Sequence, residues 1–124
     1  MSEGKSKLDL RVKRIHDDLD PADGVRILVD RLWPRGVSKE AAALDRWMKE
    51  IAPSHDLRKE FGHDPDRWEE FMEAYAEELE RKPELIAELH DLAARGTVTL
   101  LYSARDRRHN QAVALASYLA NFDG

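Results

Sequence analysis

"TVTLLYSARDRRHNQA", Thr97 to Ala112, changes character halfway along its length. Its first six residues are rich in β-formers and apolar on both faces around Leu100 and Leu101, the mark of a central strand covered on both sides. By Gln111 the pattern has become helical, with Val113, Ala116, Leu119 and Ala120 as apolar positions and Asn110 or His109 as the N-cap. A buried strand handing over directly to a helix points to an α/β domain. Between the two lie Arg105, Asp106, Arg107, Arg108 and His109, an unusual density of charge for a short connection.

Upstream, Leu8, Leu10 and Val12 alternate with Asp9, Arg11 and Lys13, a period of two that predicts a half-buried strand. "HDDLDPADG", residues 16–24, is a run of turn formers, and "VRILVD", residues 25–30, predicts a second strand. The nine-residue link between them is short for a parallel crossover, so local rules favour antiparallel pairing. Pro34 and Gly36 then break the pattern. Ser38 is placed to cap a short helix through "KEAAAL", and Ser54 a second one ending near Gly62. Asp64-Pro65 opens a longer helix whose Trp68, Phe71, Met72, Tyr75 and Leu79 share one face, read as core packing. Pro83 opens another, with Leu85, Ile86, Leu89 and Leu92 inward and Gly96 at its end. The expectation is a single compact α/β domain over residues 8–124, a small sheet of three or more strands with helices packed around it. Residues 1–7 are expected to be frayed.

The chain has 124 residues, 42% hydrophobic and 36% charged, with a formal net charge of −5. An acidic balance opposes general nucleic-acid binding, which draws on a basic face. The absence of cysteine removes disulfides, thiolate metal sites and any cysteine nucleophile. Neither a leader-like apolar run nor a stretch of membrane-spanning length is present, so a cytoplasmic location is expected. No Walker loop, dinucleotide glycine fingerprint, zinc-protease helix or nucleophile elbow occurs, and neither cofactor nor metal is expected. His16 with Asp17, Asp18 and Asp20 lacks calcium-loop spacing and reads as a turn; His55 and His63 read as caps or surface residues.

Two strand-to-helix connections carry the chemistry. In "YSARDRRHN" the first N–H groups of the following helix lack intrahelical partners, and the helix dipole favours negative charge there. Arg105 and nearby Arg107 or Arg108 offer forked donors, Ser103 a hydroxyl and His109 a titratable group. In "VDRLWPRGVS", Asp30 and Arg31 stand at a strand end, Trp33 supplies a flat surface, and Arg35 precedes Gly36. If the two strands run the same way, both connections leave one sheet edge. Arg31, Arg35 and Arg105 would then converge on a small phosphate- or carboxylate-bearing anion, with Trp33 as a wall. Asp30, Asp106 or His109 would orient partners or move protons. The competing expectation is an interaction or structural module in which the same residues form only a charge network.

The segments "VDRLWPRGVSKE", "KEIAPS", "LRKEF" and "TVTLLYSARDRRHNQA" resemble the YeaO-like branch of the domain of unknown function 488 family, small bacterial cytoplasmic proteins. The resemblance runs from Val12 to Leu119 and implies a compact α/β domain whose two strand-end loops are its most distinctive parts. Broader relatives carry a cysteine-containing motif after the last strand; here Tyr102 and Ser103 stand about where its first cysteine falls, so no thiol role carries over. In those relatives a helix joins the first two strands, which implies parallel pairing, against the local rule. The resemblance covers nearly the whole chain and weighs towards parallel.

Overall fold

The structure, a computed structural model, describes residues 8–122. The stretch expected to be frayed, residues 1–7, lies outside the described residues. Four strands, β1 (Leu10–Arg14), β2 (Val25–Leu28), β3 (Arg46–Trp47) and β4 (Val98–Tyr102), form one sheet in the order β1-β4-β2-β3. Every pairing in it is parallel. Among the described residues five α-helices accompany it: α1 (Lys39–Ala42), α2 (His55–Phe61), α3 (Trp68–Glu80), α4 (Pro83–Arg95) and α5 (Gln111–Ala120). Among the described residues no helix is long and apolar enough to cross a membrane.

The first two strands are parallel, as the resemblance implied, but they do not touch, because β4 lies between them. The local rule fails because the strands are so short. Ten linking residues (15–24) can reach roughly 33 Å when extended. Returning along a five-residue strand and across two strand spacings needs only roughly 19 Å. No helix is therefore required. The link is fastened to the central strand where it passes: Thr99 Oγ1 donates to the Asp23 carbonyl at 2.7 Å, and Val25 N to the Thr97 carbonyl at 3.0 Å. Gly24 makes this approach with φ +64°, and a Cβ there would run into the Thr97 carbonyl oxygen.

Alternation along the strands divides the core in two. Ile27, Val29, Val98, Leu100 and Tyr102 face the layer of α2, α3, α4 and α5. Leu28 and Leu101 face the other way, under Ile15 and Ala42, with Trp33, Val37, Leu44 and Trp47 closing over them. That second face also holds a buried ion cluster. Arg26, 6% exposed, donates to Asp23, 3% exposed, at 2.5 Å, and Lys13 reaches the same carboxylate at 2.9 Å. Burial pushes the Asp23 carboxyl up, and the two cations more than offset it, holding it below its ordinary value.

The helix caps follow the sequence. Ser38 Oγ accepts from Ala41 N at 3.0 Å, Ser54 Oγ from Leu57 N at 3.2 Å, and Asn110 Oδ1, rather than His109, from Val113 N at 3.0 Å. The Asp64-Pro65 start closes first as a 3-10 turn (Pro65–Arg67), and the α-helix begins at Trp68. On α3, Phe71, Tyr75 and Leu79 are buried, with Trp68 and Met72 packed beside them. Two details differ from the sequence reading. α5 buries Ala112, Ala114, Leu115 and Leu119, leaving Ala120 exposed, because a helix this apolar does not reveal its inner face by period. The strand β3 was not expected. It forms because Met48 N donates to the Leu28 carbonyl and Asp45 exchanges bonds with Arg26 at the edge of β2.

Candidate functional site

β2 and β4 are adjacent and parallel, with Leu28 opposite Leu101, so both strand-end loops leave the same carboxyl edge of the sheet. This is where open α/β sheets place ligands. Asp30, 8% exposed, joins the two loops: its Oδ2 accepts from Ser103 N at 3.1 Å and Ser103 Oγ at 2.6 Å, and its Oδ1 from Gln111 Nε2. Burial pushes the Asp30 carboxyl up, against the Ser103 bonds, the Arg58 charge and the Gln111 bond, and the net direction is upward.

Arg31 donates through Nη2 to the Ala52 carbonyl at 3.1 Å and the Pro53 carbonyl at 3.4 Å, and its buried Nε has no partner. The same turn, "EIAPS", is held from behind by α3 and by Lys82, the residue before α4. Tyr75 Oη donates to the Ile51 carbonyl at 2.7 Å, Glu78 takes Ser54 N and Oγ, and Lys82 Nζ reaches the Glu50 and Ala52 carbonyls. The floor of the site is thus a loop whose backbone is fixed by four side chains. Trp33 does two things: it packs edge-on to Trp47, with centroids 5.4 Å apart, in the smaller core, and it lines the cleft. Both indoles are satisfied, Trp33 by the Val37 carbonyl and Trp47 by the Asp30 carbonyl, each at 2.7 Å.

Between the loops lies a cleft of about 290 Å³ lined by Asp30, Arg31, Trp33, Arg35, Arg58 and Ser103 among others. It adjoins a second hollow of about 440 Å³ lined by His55, Lys59, Phe61, Phe71 and His109. Pro53, Arg58, His63, Ala104 and Gln111 line both. Arg31, Arg35 and Arg58 have no carboxylate within 4.0 Å among the described residues, whereas Arg11, Arg26, Arg46, Arg67, Arg95 and Arg107 do.

The sequence residues distribute unevenly over this site. Asp30, Arg31, Trp33, Arg35 and Ser103 meet at the smaller cleft. His109 lines the larger hollow, with Nδ1 2.9 Å from Asp106 and its ring edge-on to Trp68. Asp106 also accepts from the Arg108 and His109 backbones, which hold its carboxyl below the ordinary range. Arg105 is exposed and lines neither hollow. Its expected convergence with Arg31 and Arg35 is not what the fold produces; Arg58 of α2 stands there instead. Arg58, Gln111 and the histidines 55 and 63 were missed. A helix capped at Ser54 with Leu57 and Phe61 inward puts Arg58 one step from its buried face, which was the available signal.

Arg107 has a different task. It forks onto Asp17 at 2.8 and 2.9 Å, tying the β1–β2 link to the β4–α5 loop. Among the described residues no cluster of three or more metal-ligating side chains occurs. The Arg107 hydrogen bonds lower the Asp17 carboxyl from 3.8 to about 2. Because the folded value is depressed, this tie stabilises the fold above the ordinary carboxylate range and is lost as pH falls through about 2. Arg107→Ala should return the Asp17 carboxyl towards 3.8, followed by NMR titration; an unmoved value would detach the two residues in solution.

The family described as "Inactive DUF488-N3 subclade" matches residues 9–122. The chain is similar to the uncharacterised protein YeaO of Escherichia coli (strain K12), 44% identical over 112 residues, covering 90% of this chain and 97% of that protein. It is also similar to the uncharacterised protein Rv3073c of Mycobacterium tuberculosis (strain H37Rv), 42% identical over 110 residues, or 89% of this chain and 92% of that one. No solved structure gives a significant match.

Proposed function

The chain belongs to the inactive DUF488-N3 subclade, and from that premise we propose that it binds a small phosphate- or carboxylate-bearing anion in the cleft between its two strand-end loops, without turning it over. The observation that carries this reading is the gathering of Arg31, Arg35 and Arg58, none with a carboxylate within 4.0 Å among the described residues, around one hollow in a chain of net charge −5. Arg14, Arg81, Arg105 and Arg108 also have no carboxylate within 4.0 Å among the described residues, but they line neither hollow; here three forked donors border one cleft. The one acidic lining residue, Asp30, is engaged by Ser103 and Gln111, and burial raises its carboxyl above the ordinary value. The subclade's description and the lack of any cysteine favour binding over catalysis. Asp30, Asp106 and His109 then serve as positioning groups.

The test is thermal unfolding in inorganic phosphate or sulfate against chloride at equal ionic strength. A ligand that binds only the folded state raises Tm by mass action. The shift should disappear in Arg58→Ala and Arg35→Ala and persist in Arg105→Ala. It should grow in Asp30→Asn, which removes a repelling charge and keeps an acceptor for Ser103. A shift indifferent to Arg58 and Arg35 would place the anion elsewhere. The second reading, a partner-binding module, has its own support in Leu32, which is 67% exposed on the rim of the same cleft. It would gain if phosphate gave no shift.

A further inference from the structure

We infer that the ligand is an organic anion with a flat aromatic body, its head in the smaller cleft and its ring in the larger hollow. This rests on the anion-binding reading above and extends it to the class of molecule bound. The two hollows share five lining residues, so they are lobes of one groove, with Arg58 and His63 at the waist. They differ in chemistry. The smaller lobe, about 290 Å³, holds Arg31 and Arg35, the donors suited to a phosphate or carboxylate. The larger, about 440 Å³, is walled by Phe61, Phe71, Pro53 and Ala104. An inorganic anion would leave that apolar lobe unfilled, although pockets of this size commonly bury most of a small organic ligand.

The larger lobe favours a flat π-system over a branched aliphatic one. Phe61 and Phe71 are stacked at 4.5 Å, and three of the chain's five histidines, His55, His63 and His109, border the same space. Planar rings pack on such surfaces in offset or edge-on contacts, and the Arg58 guanidinium and Lys59 ammonium add cation–π attraction to an aromatic ligand. No Asp or Glu lines this lobe, so nothing there repels a negative molecule. Gln111 uses its amide nitrogen on Asp30, and its carbonyl makes no hydrogen bond among the described residues. That oxygen is available to a donor on the ring edge.

Calorimetric titration of the full chain with phenyl phosphate and with methyl phosphate tests this, because the two share a head and differ in the body. Phenyl phosphate should bind at least about tenfold tighter, the factor that one ring contact of about 1.4 kcal/mol supplies. His55→Trp, at an exposed lining position of the larger lobe alone, fills it from the rim. It should remove the phenyl advantage and leave methyl phosphate unchanged, with the unfolding transition confirming an intact fold. Equal affinities for the two esters would overturn the aromatic body while leaving the anion site standing. Phenyl phosphate binding that survives Arg58→Ala would overturn both, since the ring would then be held without the head. A phenyl advantage unaffected by His55→Trp would also overturn the assignment of the ring to this lobe.

Discussion

Asp23→Ala should cost about 3–5 kcal/mol of stability, the range for removing one partner of a buried ion pair. The residue looks like a turn aspartate, yet among the described residues its carboxylate is the only one within 4.0 Å of the Arg26 guanidinium, and it is shared with Lys13. Arg26 cannot escape to water: its Nε and Nη2 also donate to the Ala42 carbonyl at 3.2 and 2.9 Å beneath the smaller core. Asp23 additionally accepts from Asp20 N at 3.2 Å, so the turn that carries the β1–β2 link loosens with it. Denaturant titration should show the midpoint falling with little change in slope. The double variant Asp23→Leu/Arg26→Met should recover much of the loss, because the penalty arises from an uncompensated charge. A single variant within about 0.5 kcal/mol of the parent would mean the cluster is hydrated.

Phe71→Ala should cost a similar amount, about 3–5 kcal/mol, for a different reason. Its ring, 3% exposed, stacks on Phe61 at 4.5 Å and lies 5.7 Å from both Trp68 and Tyr75. Truncation removes the middle of an aromatic row that joins α2 to α3. The surrounding helices are pinned through Tyr75 and Glu78 to the "EIAPS" turn and cannot collapse into the gap. Because Phe71 also walls the larger lobe, ligand affinity should be measured in Phe71→Leu, which keeps most of the volume.

How far the sequence could be read depended on whether local pattern or distant charge decided the outcome. The α/β class, the buried strand β4 and the caps at Ser38, Ser54 and Asn110 followed from period and side-chain chemistry, which act over a few residues. The face of α5 did not, since Ala112 and Ala116 are equally apolar and only the sheet selects between them. Arg26 lies in "VRILVD" as one polar residue among apolar ones, and nothing local marks it as buried; Asp23 does that across the turn. The position of β4 between β1 and β2 was hidden because a short link suggested a hairpin, and only the shortness of the strands makes the crossover feasible. At the site, the arginine-rich loop drew attention to Arg105, Arg107 and Arg108. The fold uses Arg107 to fasten Asp17 and leaves Arg105 exposed, whereas Arg58 reaches the cleft from a helix whose placement depends on tertiary packing. Charge density along the chain is therefore a poor guide to charge density in a cleft.

The most direct measurement is a crystal structure grown in phosphate. Tetrahedral density is expected in the smaller lobe, within hydrogen-bonding distance of Arg58 and at least one of Arg31 and Arg35, with Asp30 still bonded to Ser103. Phosphate density confined to Arg105, Arg108 or another exposed arginine, with the cleft holding only water, would contradict the proposed anion site.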